Sequence, residues 1–218
     1  MITDQALEDR VRIICERLNL TDAFTWVKEK NPSNNLPYHN WYHALCMVES
    51  VVEGANYHDL SYQSIRHLVV AALFHDFAHT GGKEKDAVNI TRAVRGLWSL
   101  ADRSTGRTVA KGIDMFEVEE LIGVTEYPYV LDPMCIEQKV LRDADLMQSF
   151  RPTWKEMIVR GLREEISISL NRVLTETEMV EGQLKFLQNI KSNSKWGHDV
   201  MFAQNWVSRS IENFSSLV

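Results

Sequence analysis

The sequence has no excess of positive charge, no paired cysteines and no long apolar run, and each absence removes a class of protein. Across 218 residues, 24 Lys and Arg face 30 Asp and Glu, a formal net charge of -6. A chain whose main partner is nucleic acid carries a basic footprint that neutralises phosphates, so DNA or RNA is not expected as a partner. The three cysteines, Cys15, Cys46 and Cys135, are far apart and form no CxxC pair. Such a set argues for a reducing compartment and against a sulfur-ligated zinc site. No stretch approaches the ~18 consecutive apolar residues of a membrane span. The start, Met1-Ile2-Thr3-Asp4-Gln5, has neither the basic nor the apolar segment of a signal peptide. The expectation is a cytoplasmic protein with no membrane partner.

Alternating β-branched runs are also nearly absent, which argues against a sheet. Linkers, internal repeats and low-complexity tracts are missing too, so a single domain over 1–218 is expected. The hydrophobic share of 44% and charged share of 25% suit an ordinary globular core.

What is present is helical periodicity. Ile2, Ala6, Leu7, Val11, Ile14 and Leu18 recur at three- and four-residue steps. Thr21-Asp22 predicts an N-cap for a short helix through Trp26 and Val27. Asn31-Pro32-Ser33-Asn34-Asn35-Leu36-Pro37 is dense in turn formers. Helices are then predicted over 38–55, 61–76, 84–100, 115–126, 133–150, 153–170, 175–192 and 198–215. Ala101 to Ile113, with Gly106 and Gly112, reads as a long surface loop, and Pro128 and Pro133 bracket another turn. The predicted architecture is a compact all-α bundle.

Four of the seven histidines fall into two pairs, His39/His43 and His75/His79. The i,i+4 spacing predicts both imidazoles of a pair on one helix face. The second pair closes the apolar run Leu68-Val69-Val70-Ala71-Ala72-Leu73-Phe74, which predicts a buried helix, and it reads His75-Asp76-Phe77-Ala78-His79 before Gly81-Gly82. Charged groups delivered by a buried helix are costly unless paired or bound to metal. Imidazole plus carboxylate suits a divalent ion, and Mn, Fe, Zn, Ni and Mg all accept such ligands. An ion would also concentrate positive charge in an acidic chain that handles a phosphorylated anion. A third cluster, Val140-Leu141-Arg142-Asp143-Ala144-Asp145-Leu146, places two aspartates in an apolar helix. They point about 200° apart, so only one can face a metal.

These residues resemble the HD-domain superfamily of metal-dependent phosphohydrolases. Tyr38-His39-Asn40-Trp41-Tyr42-His43-Ala44 is similar to the YHNxxHA signature of class I cyclic-nucleotide phosphodiesterases. The second cluster is similar to their HDxDHxG element, with Ala78 in place of the second aspartate. Val124-Thr125-Glu126 resembles their ATD segment, with Glu for Asp, and Ala144-Asp145-Leu146 the segment supplying the last metal aspartate. The matching elements lie within 38–148, with helices over 153–215 completing the pocket. The resemblance implies an HD-domain bundle in which His43, His75, Asp76 and Asp145 hold a first metal. It selects Asp145 over Asp143. It also implies Asp76 as a bridge to a second ion, His39 as the general acid and His79 beside the second ion's waters.

A further absence refines this. No histidine lies between His79 and His198, whereas histidine-rich relatives such as the HD-GYP enzymes need extra histidines there. A second ion would find only carboxylates and water, with Glu84, Glu119, Glu120 and Glu126 as candidates. The Gln183-x-x-Phe186 spacing is similar to the pair that reads and stacks on a base in the phosphodiesterases; an amphipathic helix with Phe186 in the core is the plainer reading. Asn40 either orients a catalytic group in the substrate site or caps its helix. Thr125, Glu126 and Asn89 are candidates for supporting roles. His58, His67 and His198 are expected to be structural or superficial, Trp26, Trp98, Trp154, Trp196 and Trp206 to lie in the core, and Lys83-Glu84-Lys85-Asp86 to be a solvated face. The expected function is metal-dependent hydrolysis of a nucleotide, foremost of a cyclic nucleotide to its 5'-monophosphate. The alternatives are a phosphomonoesterase or pyrophosphohydrolase acting on ppGpp, a dNTP or a 5'-nucleotide, and a non-catalytic nucleotide sensor.

Overall fold

Short polar side chains set where the helices begin. Asp4 accepts the Leu7 N–H at 2.9 Å and starts α1, Gln5–Arg17. Asn40, Ser61 and Asp114 play the same part for α3 (Trp41–Tyr57), α4 (Tyr62–Phe74) and α6 (Met115–Gly123), each side-chain oxygen taking up a backbone N–H that the first turn leaves unpaired. Thr175 and Glu178 form a reciprocal capping box at the head of α9, Glu176–Asn189. The computed structural model describes residues 4–100 and 112–217. The remaining helices are α2 (Thr21–Lys30), α5 (Asp86–Leu100), α7 (Ile136–Leu146), α8 (Arg163–Ser169), α10 (Lys195–His198) and α11 (Trp206–Ser215).

The described residues contain no strand, and the helices form a compact all-α bundle. At its centre α4 packs along α3, with α7 and α1 against α3 and α6 against α4. From Leu68 to Phe74 every α4 side chain is buried, so this helix has no solvent face and reads as a continuous apolar run. Farther along the chain, α9 pairs with α11. No helix among the described residues is long and apolar enough to cross a membrane.

Several boundaries differ from the periodicity. Helix α3 starts at Trp41, not 38, because Asn40 adopts an extended backbone and caps it. Helix α2 has Leu20 at its N-cap without a side-chain bond, so Thr21 and Asp22 lie inside it. The helix expected over 133–150 is α7 followed by a 3-10 turn, Met147–Phe150. The one expected over 153–170 opens with a π-helical segment, Lys155–Leu162, before α8. The one expected over 198–215 is interrupted where Asn205 turns left-handed at φ 60°, a conformation asparagine tolerates better than most residues. The loop expected from Ala101 to Ile113 lies outside the described residues as far as 111. Of the tryptophans, Trp196 is fully in the core, whereas Trp98 lies at the surface and donates Nε1 to Glu119 at 2.7 Å.

Candidate metal centre

Three helix ends meet at the histidines. His43 stands in the first turn of α3, where Asn40 Oδ1 accepts its N–H at 3.1 Å. The Asn40 amide in turn donates to the Leu36 and Pro37 carbonyls, at 3.0 and 3.2 Å, and so fixes the chain entering the helix. His75 is the C-cap residue of α4. Its Nδ1 lies 2.9 Å from the Ala72 carbonyl. A carbonyl only accepts, so in the neutral ring the proton sits on Nδ1 and the lone pair of Nε2 is free to coordinate. Asp76 follows directly, and Asp145 arrives from the last turn of α7.

The four side chains converge. His75 Nε2 lies 3.0 Å from Asp76 Oδ2 and 3.3 Å from His43 Nε2. His43 Nε2 is 3.4 Å from Asp76 Oδ2 and 3.2 Å from Asp145 Oδ1. Atoms bound to one ion at about 2.1 Å stand about 3.0 Å apart at octahedral angles and about 3.4 Å apart at tetrahedral ones. The observed spacings therefore suit a shared divalent ion. Asp76 Oδ2 and His43 Nδ1 are buried without a hydrogen-bond partner, and a buried carboxylate oxygen left unpaired is costly unless a cation meets it. Both imidazoles are buried, while Asp76 and Asp145 are partly exposed and mark the open side. Burial pushes the His75 imidazole down, but the negative charges of Asp76 and Asp145 outweigh it and raise the ring to about 9. The potential that draws a proton to this cluster is the one that would draw a cation. Burial works against the charge of Asp76 too, yet His75 and His39 hold its carboxyl well below the usual range.

A second constellation adjoins the first. His39, Asp76 and His79 also place one donor each within 4.8 Å of one another. His39 Nδ1 is 2.5 Å from Glu165 Oε2, while Oε1 accepts the Tyr38 and His39 N–H groups at 2.7 and 3.1 Å. Burial disfavours charge on His39, but Asp76 and the bond to Glu165 raise the ring to about 9. Glu165 shifts downward, because His39 offsets its own burial. The His39 ring stacks on His79 with centroids 3.6 Å apart. His79 Nδ1 accepts the Gly81 N–H at 3.0 Å, and its Nε2 faces the Asn89 amide at 2.9 Å and Asp86 Oδ1 at 3.7 Å.

The expected i,i+4 pairing on a helix face is not what the structure shows. His39 precedes the cap of α3, and His79 lies beyond the end of α4, past Ala78 at φ 59°. The closer ring pairs are crossed, His43 with His75 at 5.2 Å and His39 with His79 at 3.6 Å, while His39 and His43 lie 6.2 Å apart. Glu165 was not singled out by the sequence, although it shares an apolar helix face with buried Ile158 and Gly161, and a carboxylate on such a stripe is its one signal. Two glycines let it approach. A Cβ on Gly161 would come 2.3 Å from the Pro37 carbonyl oxygen, and one on Gly82 would come 2.1 Å from that of Glu165. Asp86 is likewise more than a solvated residue, because Oδ2 accepts the Tyr127 N–H at 2.7 Å while Oδ1 faces His79.

Asp143 points the other way. It is fully buried and accepts from the backbone and side chain of both Asn193 and Ser194, at 2.7–2.8 Å. Asn89 is buried and holds Thr80 as well as His79. Thr125 is also buried and donates to the Ile122 carbonyl at 2.8 Å. Glu84 and Glu120 are exposed, and Glu126 is half-buried. Gln183 is buried and donates Nε2 to Ser149 Oγ at 2.9 Å, while Phe186 packs half-buried against the core. Neither a family model nor a curated protein matches the chain.

Proposed function

We propose that this chain is an HD-type metal-dependent phosphohydrolase acting on nucleotides, and that its preferred reaction opens a cyclic nucleotide to the 5'-monophosphate. The observation that carries the reading is the convergence of four imidazole and carboxylate donors at 3.0–3.4 Å, with Asp76 Oδ2 buried and unpartnered among them. The motif Tyr38–Ala44 and the His75-Asp76 step support the family, and the choice of a cyclic phosphodiester rests on the likeness of that motif.

His43, His75, Asp76 and Asp145 would hold the ion. A divalent ion bound there supplies Lewis acidity toward phosphoryl oxygens and lowers the pKa of a coordinated water. The chain's own residues do the rest. Glu165 holds His39 Nδ1 and the two N–H groups beside it, which leaves Nε2 as the ring atom available to a substrate. The carboxylate stabilises the protonated ring, so a proton is ready for the departing oxygen near neutral pH. The stacked ring of His79 keeps His39 from turning away.

The test is incubation with Mn²⁺ and a panel of cyclic and linear nucleotides, followed by product identification. The expected outcome is a 5'-monophosphate from a cyclic substrate. His39→Ala should keep its metal and lose about 10²–10⁴-fold in turnover, the usual contribution of a positioned acid. Phosphate or pyrophosphate released only from linear nucleotides would replace the phosphodiesterase reading with the monoesterase or pyrophosphohydrolase one. Tight binding without turnover would leave a sensor.

A further inference from the structure

Beside the histidines runs a segment whose composition runs against its position. Tyr127, Tyr129, Val130, Leu131 and Met134 are all exposed, Tyr127 at 59% and Met134 at 85%. Such a patch is solvated at a cost and marks a binding surface more often than not. The segment is held from beneath. Arg142, buried in α7, donates to the Val124 carbonyl at 3.0 and 2.8 Å and to that of Leu131, and its guanidinium lies under the Tyr129 ring, 4.1 Å from the centroid.

Its location follows from two ties. Arg142 and Asp145 are three residues apart on α7 and therefore neighbours on one helix face, about 5–6 Å apart at Cβ. Tyr129 thus stands next to the Asp145 side of the donor cluster. The burial of its hydroxyl and then the charge of Asp145 push the Tyr129 phenol upward. At the other end, the Tyr127 N–H binds Asp86, which faces His79. The segment therefore borders both constellations. Its two aromatic rings lie 5.5 Å apart and nearly perpendicular, at 87°, and both side chains are exposed, so that they form a corner.

We infer that Tyr127 and Tyr129 are specificity-determining residues that stack on the base of a nucleotide whose phosphate occupies the histidine and aspartate donors. The inference rests on the nucleotide reading above and deepens it by assigning recognition of the base to this corner. Stacking of a heteroaromatic ring on tyrosine tolerates every base, because each has a π-face. The corner is therefore expected to separate nucleotides from base-free sugar phosphates more than one base from another.

The experiment measures binding to the Mn²⁺-loaded protein by calorimetry, with the four 5'-ribonucleoside monophosphates and ribose 5-phosphate as probes. The wild type should prefer the nucleotides about tenfold or more. Tyr127→Ala with Tyr129→Ala should reduce that preference to within about twofold and leave ribose 5-phosphate binding unchanged, which also shows that the donor site still folds. The paired Phe variants should keep most of the preference. No preference in the wild type, or a preference that survives the Ala pair, overturns the inference, as does an Ala pair that alters only the oligomeric state. Because the readout is binding, a tyrosine-dependent preference without turnover supports the corner while the hydrolase reading fails. Turnover with a tyrosine-independent preference does the reverse.

Discussion

Asp143 and Asp145 stand two residues apart on one helix and mark two regions built on opposite terms. Asp143 is fully buried and meets four donors from Asn193 and Ser194, all within 2.8 Å. Space around it is so tight that a Cβ on Gly197 would come 2.1 Å from Oδ2. On the other face, Asp145 and Asp76 meet imidazole nitrogens, and Asp76 Oδ2 has no hydrogen-bond partner. A buried carboxylate supplied with protein donors is finished by the fold and ties two elements together. One gathered with other electron-pair donors is left unpaired by the fold, and such a group could hold a metal ion. The region joining α7 to α10 is therefore an anchor, and the region joining α3, α4 and α7 is the candidate receptor.

The sharpest way to break that contrast is to remove one carboxylate from each region. Asp76→Ala takes away the atom shared most closely by His43 and His75, and it is expected to abolish both bound metal, read by elemental mass spectrometry, and turnover. The fold should survive, because no hydrogen-bond network depends on Oδ2. Asp143→Ala should do the opposite. It leaves the Asn193 and Ser194 donors unpaired in the interior and is expected to cost about 2–4 kcal/mol in denaturant unfolding, with metal stoichiometry unchanged. If Asp143→Ala lost its metal while remaining folded, or if Asp76→Ala melted the protein and kept the metal, the assignment of the two regions would be reversed.

The residues also show what a sequence can convey. The bundle was legible because α1 repeats apolar residues at three- and four-residue steps, and because α4 is apolar on every side from Leu68 to Phe74. The His75-Asp76 step stood out because it follows Leu68–Phe74, where charge needs a reason. The choice between Asp143 and Asp145 was open from helix geometry alone, since the donors that satisfy Asp143 lie 50 and 51 residues away. The partner of Glu165 was hidden for the same reason, His39 being 126 residues away, although the place of Glu165 on an apolar stripe was a signal. Some helix ends escaped, as where Asn40 caps α3 and left-handed Asn205 precedes α11, although the starts capped by Ser61, Asp114 and Thr175 fell within one residue of expectation. The rings of His39 and His43 do lie near each other, with centroids 6.2 Å apart, but not on one helix face, because the cap residue Asn40 stands between them.

The smallest expected effect concerns Gln183, and it tests how far the receptor region extends. A glutamine that reads a base needs its amide free at a cleft. Gln183 is 6% exposed, and its nitrogen is committed to Ser149 Oγ at 2.9 Å. Ser149 belongs to the turn that follows α7, so this bond fastens α9 to that turn as Asp143 fastens α10 to the helix itself. By position Gln183 then belongs with the anchor. Gln183→Ala removes one buried neutral hydrogen bond and leaves a hydroxyl to find another partner, a loss of about 1–2 kcal/mol. Thermal unfolding should show that loss, while the relative kcat/KM for different nucleotides stays unchanged. A shift in base preference at unchanged stability would move Gln183 into the receptor and weaken the case for the tyrosine corner. The expected outcome confines the receptor to the ends of α3, α4 and α7 and the rim formed by Tyr127 and Tyr129.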